Sequence, residues 1–193
     1  FRMVGDLLHT SNENDFNKLF SRIEKYENIS DNMEIEIANY LNKVSAGRLS
    51  SESKIQIRGM LREVTEIESI GDSCYNLART INRKRRGNDD FTESQYSHIH
   101  QMFKLTDEAL SQMIQQVEDT HHNVDVNKSF NIETEINNFR NQLKSKNVTD
   151  VNNKEYSYQM GVHYMDIIGE CEKLGDYVVN VVEAHTDVRE KKV

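Results

Sequence analysis

The sequence contains no proline and no tryptophan, and only eight of its 193 residues are glycine. Average amino-acid usage would give a chain of this length roughly ten prolines. Because proline breaks helices and is frequent in loops, its absence favours a few long helices joined by short connections. A charged fraction of 29% fits helices that each expose one face to solvent. We therefore expect an all-α protein.

Other features that the sequence lacks exclude further classes of protein. The net charge is -8, so the domain as a whole lacks the excess of positive charge that binds nucleic acid. No apolar run approaches the ~20 residues needed to cross a bilayer. The two cysteines, Cys74 and Cys171, form no C-x-x-C pair, and we interpret both as reduced core residues.

A nine-residue pattern, E-x-I/L-G-D-x-x-x-N, occurs at 68–76 and again 104 residues later at 172–180. On a helix its Glu, Asp and Asn, at i, i+4 and i+8, line up along one side. Like charges at i and i+4 repel, so we expect compensation by a metal, another cation, or Arg/Lys from a neighbouring helix. The recurring residues are Glu68, Gly71, Asp72 and Asn76 in the first copy and Glu172, Gly175, Asp176 and Asn180 in the second.

The spacing of apolar and capping residues predicts five long helices, at about 13–46, 51–86, 92–120, 125–146 and 152–189. Residues 1–10 are predicted to be the tail of a helix that begins upstream. The repeat then predicts two tandem three-helix bundles, 1–87 and 88–193, with the first helix of the first bundle truncated. The chain begins at Phe1 rather than at methionine, and we expect it to be part of a longer protein.

Each motif helix carries an apolar stripe with alternating spacings of three and four residues, which predicts a helix-packing seam. The glycine of each motif lies near this seam and would let a facing helix approach closely. The predicted seam residues are Ile67, Ile70, Cys74, Leu77 and Ile81 in the first half and Cys171, Leu174, Val178, Val181 and His185 in the second.

The helix that precedes each motif helix is also acidic. Glu133 and Asn137 of the second half align with Glu27 and Asp31 of the first, so one carboxylate is replaced by an amide. Carboxylates from adjacent helices can build an all-oxygen metal site. The alternative is that these acids face water or pair with Arg and Lys. The acids considered are Glu27, Asp31, Glu34, Glu68 and Asp72 in the first half and Glu133, Glu135, Glu172 and Asp176 in the second.

No group of residues in the sequence indicates catalysis. His98 and His100 do not share a helix face, His121 and His122 lie at a predicted helix end, and no H-E-x-x-H spacing is present. The basic cluster at 83–86 would complement the dipole at a helix C-terminus, or would contact anionic lipid or an acidic partner. We expect a protein that is not an enzyme.

The duplicated motif resembles the PhoU family, whose signature helices read like E-R-I/L-A/G-D-x-x-x-N-I/L-A/S. The resemblance covers nearly the whole chain and implies two symmetric three-helix bundles. It also implies that Glu68, Asp72, Glu172 and Asp176, with Glu27 and Asp31 as a weaker pair, hold a di- or trivalent metal such as iron, zinc or manganese. Asn76, Asn180, Gly71 and Gly175 would support the motifs, and Asn137 departs from the pattern.

Two segments, MLREVTEIESIGD at 60–72 and MFKLTD at 102–107, resemble the C-terminal cytoplasmic PhoU-like domain of bacterial sodium/phosphate cotransporters. This resemblance implies a non-enzymatic regulatory domain on the cytoplasmic face of the inner membrane, as part of a membrane protein. Its partner would be the transporter domain of the same polypeptide, with a homodimer as a further association and no nucleic acid. The alternatives are a free-standing PhoU-type regulator of phosphate uptake and signalling, and a carboxylate-bridged metalloenzyme.

Overall fold

The computed structural model describes residues 1–87, 89–119 and 126–190, with the backbone alone at 188–190. Within these residues the chain forms helices and no strand, as the composition predicts. The predicted helix boundaries near 120 and 125, and the His121–His122 pair, lie outside the described residues. The helices are α1 Arg2–His9, α2 Glu13–Ser45, α3 Ser51–Arg85, α4 Glu93–Glu118, α5 Val126–Asn152 and α6 Tyr158–Glu190.

The helices begin where short polar side chains can accept a hydrogen bond from the first free backbone N–H groups. Asn12 accepts from the backbone N–H of Asp15 at 3.1 Å, which caps α2. Ser50 caps α3 in the same way, and Thr92 forms the predicted capping box of α4 with Gln95. A cap of this kind stabilises a helix by about 1 kcal/mol. Local chemistry therefore fixes three of the helix starts.

The boundary between α5 and α6 lies later than predicted, because the polar stretch 147–150 is helical. Lys146 and Asp150 form an ion pair across one helical turn, at 3.0 Å, and the Tyr156 hydroxyl donates to Asn147 at 3.0 Å. These contacts satisfy side chains that would otherwise compete with the helix. The chain turns instead at Lys154, whose φ is 61°. Ser157 then caps α6 by accepting from the N–H of Met160 at 3.2 Å.

Helix α6 is the centre of the fold and packs against α3, α4 and α5. The seam predicted on α6 is buried from Cys171 to Val181, and Leu77 and Ile81 of the α3 seam are buried too. The largest fully buried side chains include Tyr164, Leu7, Leu77, Ile99, Met102, Ile136, Ile167, Ile168 and Leu174. His185, at the end of the α6 seam, keeps a side chain that is 14% exposed.

The prediction of a buried Ile67 is wrong. Ile67 is 44% exposed, whereas Cys171, at the corresponding place in the second motif helix, is completely buried. The reason lies in the covering helix. Helix α4 has 26 residues and packs against both α5 and α6, while α1 has only eight residues to lay against α2 and α3. Among the described residues, α1 covers only part of the α2–α3 face, and Met33 on α2 is 55% exposed.

The contact between α3 and α6 reflects the repeat. Arg62 pairs with Asp187 at 3.9 Å near one end, and Arg83 pairs with Asp166 at 3.5 Å near the other, so the two helices run antiparallel. A shift of 104 residues converts Arg62 into Asp166 and Arg83 into Asp187. The two ion pairs therefore occupy equivalent positions in the repeat. At each of these positions α3 carries an arginine and α6 carries an aspartate.

Candidate functional site

The two motif glycines lie where each motif helix crosses the helix before it. A Cβ at Gly71 would come within 3.2 Å of the Ser30 Oγ on α2, and a Cβ at Gly175 would come within 3.3 Å of Ile136 on α5. Such distances leave room for glycine and little more. The close crossings bring the acids of α2 beside those of α3, and the acids of α5 beside those of α6.

The first acidic cluster consists of Glu27, Asp31, Glu34, Glu68 and Asp72. Burial raises the pKa of Glu68 to about 7, helped by the negative charges of Glu34, Asp31 and Asp72 and by a hydrogen bond to Asp31. Burial also raises the pKa of Glu27, with further contributions from Asp31, Asp72 and Glu24. Glu68 is therefore partly protonated near neutral pH, and its proton is one cation that this cluster holds.

The donors inside the first acidic cluster are neutral. The Thr65 hydroxyl donates to Glu34 at 2.9 Å, and the Asn76 amide of the motif donates to Asp72 at 3.3 Å. Among the residues that the structure describes, no Lys or Arg forms an ion pair with any of the five carboxylates. Protonation of Glu68, the two neutral donors and the nearby charge of Lys173, which interacts with Asp72, reduce their mutual repulsion.

The second acidic cluster consists of Glu133, Glu172 and Asp176, together with Asn137 and Arg140. Arg140 Nη2 donates to Glu172 Oε1 at 2.5 Å, and the Asn137 amide donates to Glu133. Burial, the charge of Asp176 and a hydrogen bond to it raise the pKa of Glu133. Burial and Glu172 raise the pKa of Asp176 against the opposing effects of Glu133 and Arg140. This cluster carries its own cation.

The predicted site carboxylates of the two clusters differ in their exposure. Glu27, Asp31, Glu68 and Glu172 are half-buried, and Asp72 and Asp176 are exposed. Glu135 is exposed and joins neither cluster. The motif amide Asn180 donates to Glu66 of α3 at 3.0 Å, unlike Asn76, which donates to the aspartate of its own motif. Arg140 was not among the predicted site residues, although it stands three residues after Asn137, as Glu34 does after Asp31.

An oxygen-only donor set suits a hard di- or trivalent cation, and the first acidic cluster offers such a set. Its side chains do not converge on one point, since no group of three or more His, Cys, Asp or Glu side chains in 1–87, 89–119 and 126–187 is arranged to hold a metal. The second acidic cluster contains a guanidinium, which has no lone pair to offer a metal and repels a cation by its positive charge. The metal predicted from the resemblance therefore stays a prediction for the first acidic cluster, and fits the second poorly.

The other groups singled out in the sequence have structural partners. In the basic cluster, Arg83 pairs with Asp166, Lys84 with Asp90, and Arg85 donates to two backbone carbonyls of the α1–α2 connection. His98 Nδ1 lies 3.0 Å from the Tyr164 hydroxyl, and His185 lies 3.1 Å from Glu63. The contacts of the basic cluster join α3 to α6, to the α1–α2 connection and to the segment before α4, while both sequence interpretations of this cluster stay predictions.

Comparison with known proteins gives a match for one part of the chain and for its fold. Residues 1–81 match the family model described as PhoU domain. The crystal structure of the phosphate transport system regulatory protein PhoU from Streptococcus pneumoniae has a TM-score of 0.74 and 18% sequence identity. The match covers 97% of this chain and 86% of that one. No curated protein matches the chain. Among the described helices, none is both long and apolar enough to cross a membrane.

The resemblance read from the two motifs is thereby confirmed. Within the described residues the chain has an all-helical, PhoU-like fold, and residues 1–81 match the PhoU domain model. The arrangement of its helices is consistent with tandem three-helix bundles.

Proposed function

We propose that this PhoU-like domain regulates phosphate uptake by contact with a membrane transporter and has no enzymatic activity of its own. The observation that carries the proposal is the PhoU domain match over residues 1–81, a span that contains every member of the first acidic cluster. The similarly folded protein from Streptococcus pneumoniae is named a regulatory protein of a phosphate transport system. Its name supports the same general role for this chain.

The more specific proposal is that the transporter is sodium-dependent, that it lies in the same polypeptide, and that this domain sits on the cytoplasmic face of the inner membrane. The segments at 60–72 and 102–107 support it, because they resemble the domains attached to sodium/phosphate cotransporters. The second candidate is a free-standing PhoU-type regulator of phosphate uptake and signalling. The name of the similar solved structure favours that candidate.

We also propose that Glu27, Asp31, Glu68 and Asp72 are the residues that would hold a di- or trivalent metal such as iron, zinc or manganese. A bound cation would neutralise the repulsion among these carboxylates and tie α2 to α3. Asn76 orients Asp72 by donating a hydrogen bond to it. Gly71 keeps α2 and α3 close enough for carboxylates of both helices to reach one cation.

The test is phosphate uptake in cells that carry the complete natural protein, measured across a range of external phosphate, with and without sodium. We compare the intact protein with a form that lacks this domain and with Asp72→Asn. Glu36→Gln is the matched control, since Glu36 is an exposed acid of α2 outside the cluster. We expect deletion to change how uptake responds to phosphate and Glu36→Gln to leave it unchanged.

Unchanged uptake and an unchanged phosphate response after deletion would end the regulatory proposal. A response that persists without sodium, or that depends on a separate transporter, would favour the free-standing regulator over the sodium-coupled domain. Turnover of a phosphorylated substrate by the purified domain, abolished by Asp72→Asn, would contradict the non-enzymatic role.

A further inference from the structure

The two acidic clusters can be aligned residue by residue from the helix crossings. Gly71 and Gly175 are 104 residues apart, and the residues that face them, Ser30 and Ile136, are 106 residues apart. Residues of α3 therefore correspond to residues of α6 that lie 104 positions later. Residues of α2 correspond to residues of α5 that lie 106 positions later. The aligned pairs are Glu27 with Glu133, Asp31 with Asn137, Glu34 with Arg140, Glu68 with Glu172, and Asp72 with Asp176.

The alignment shows that two of five positions differ, and both differences remove negative charge. Asn137 stands in place of a carboxylate and donates to Glu133. Arg140 stands in place of Glu34 and donates to Glu172, the motif residue that corresponds to Glu68. The first cluster thus has five carboxylates and no ion-pair partner among the described residues, while the second has three carboxylates and one guanidinium.

The Arg140 side chain is largely buried among the carboxylates of the second acidic cluster. This side chain is 27% exposed and that of Glu172 is 19% exposed, while the Arg140 Nε is buried and has no hydrogen-bond partner among the described residues. A metal ion at these carboxylates would lie next to a positive charge. Moving Arg140 away would leave its ion pair with Glu172 broken in a half-buried position, which costs free energy.

We infer that the second acidic cluster does not take a metal, because Arg140 supplies its cation, and that the two halves of the repeat differ in this respect. The resemblance predicted a metal at Glu172 and Asp176. The geometry around Arg140 is the reason to assign these residues to an internal ion-pair network instead. The inference is independent of whether the domain regulates phosphate transport.

The test exchanges the two differing positions in the purified chain. Asn137→Asp with Arg140→Glu gives the second half the acidic set of the first, and an Asp72→Asn background removes a carboxylate of the first cluster. Mn²⁺ binding is measured by calorimetry and by electron paramagnetic resonance, with Mn²⁺-dependent thermal melts as a second readout. We expect the exchange to add a bound Mn²⁺ per chain and to make the melting temperature rise with Mn²⁺.

The controls keep the result interpretable. Asp176→Asn in the otherwise natural chain should leave Mn²⁺ stoichiometry unchanged, and Arg140→Lys, which keeps the positive charge, should behave like the natural chain. If the exchanged variant does not fold without metal, Arg140→Gln removes the charge alone and should gain a Mn²⁺-dependent rise in melting temperature. Loss of bound Mn²⁺ in Asp176→Asn, or no gain of Mn²⁺ binding in both the exchanged variant and Arg140→Gln, would overturn the inference.

Discussion

Gly71 of α3 and Ser30 of α2 face each other at the centre of the first helix crossing, where an added Cβ would lie 3.2 Å from the serine Oγ. The corresponding pair in the second half is Gly175 and Ile136. Each glycine therefore sits beside a motif aspartate for a packing reason. The crossing sets the distance between helices, and that distance brings carboxylates from two helices into one cluster.

Substitution of the helical glycines by alanine should separate packing from helix propensity. In the part of the chain that the structure describes, Gly169 has no atom outside its own helix backbone within 4 Å of its Cβ position, so Gly169→Ala should stabilise the protein by about 0.5–1 kcal/mol. Gly71→Ala should raise the stability by less than Gly169→Ala does, because the Ser30 hydroxyl must move to make room for the added Cβ. Gly161→Ala should destabilise it, since a Cβ there would meet Val151 at 2.8 Å. Urea unfolding of the three variants measures this order, and an equal gain at all three sites would contradict it.

Glu68 should make the stability of the fold depend on pH. Its folded pKa is raised from 4.5 to about 7, so between these values the unfolded chain loses this proton before the folded chain does. Stability from this site is therefore full below about pH 4.5 and is lost as the pH rises to about 7. Glu68→Gln should be more stable than the natural chain at pH 8, on the order of 1–2 kcal/mol after solvent screening, and similar to it at pH 5.

The measurement is the free energy of unfolding in urea at pH 5 and pH 8. Glu36→Gln serves as the control, since Glu36 is exposed on the same helix as Glu34. If Glu68→Gln is less stable than the natural chain at pH 8, a positive charge or hydrogen-bond donor stabilises the ionised Glu68 carboxylate in the folded protein, and the prediction is wrong.

Substitution of Arg140 by alanine should lower the free energy of unfolding more than substitution of Arg62 by alanine. Arg140 and Glu172 are mostly shielded, with 27% and 19% exposure, and Arg140→Ala leaves Glu172 without its cation. The expected loss is about 2–3 kcal/mol. Arg62 and Glu183 are 42% and 40% exposed, so Arg62→Ala should cost at most about 1 kcal/mol. Thermal and urea unfolding of both variants test the difference, and addition of 1 M salt should shrink only the smaller effect appreciably.

Truncation of side chains along the α3 seam should distinguish its buried positions from its exposed ones. Leu77 is completely buried, so Leu77→Ala should destabilise the fold by about 3 kcal/mol. Ile67 is 44% exposed, and Ile67→Ala should cost less than about 1 kcal/mol. Similar losses at the two positions would mean that Ile67 is covered in solution.

The sequence predicted the features that depend on local chemistry. The absence of proline predicted long helices, the capping box predicted the start of α4, and the motif predicted seam residues that are buried in α6. Two errors arose where distant residues decide the outcome. The stretch 147–150 is helical because Tyr156 and Lys146 satisfy its side chains. Ile67 is exposed because, among the described residues, α1 covers only part of the α2–α3 face.

The acidic clusters were predictable in part. The repeated spacing located the carboxylates of α3 and α6, and the alignment of Asn137 with Asp31 exposed a difference between the halves. The role of Arg140 could not be read from the motif, since it depends on which residues of α5 face Glu172. The register of α5 against α6 is set at the Gly175 crossing, and only the three-dimensional arrangement gives it.

The exchanged ion pairs between α3 and α6 restrict which halves can associate. If two first halves met through the α3 contact, Arg62 of one would face Arg83 of the other, and two second halves would likewise bring Asp166 against Asp187. Each identical pairing opposes like charges at both ends of the contact, whereas the pairing of unlike halves joins opposite charges. The two arginines of α3 and the two aspartates of α6 therefore favour contact between the unlike halves of the repeat. They disfavour an assembly of two copies in which identical halves are paired.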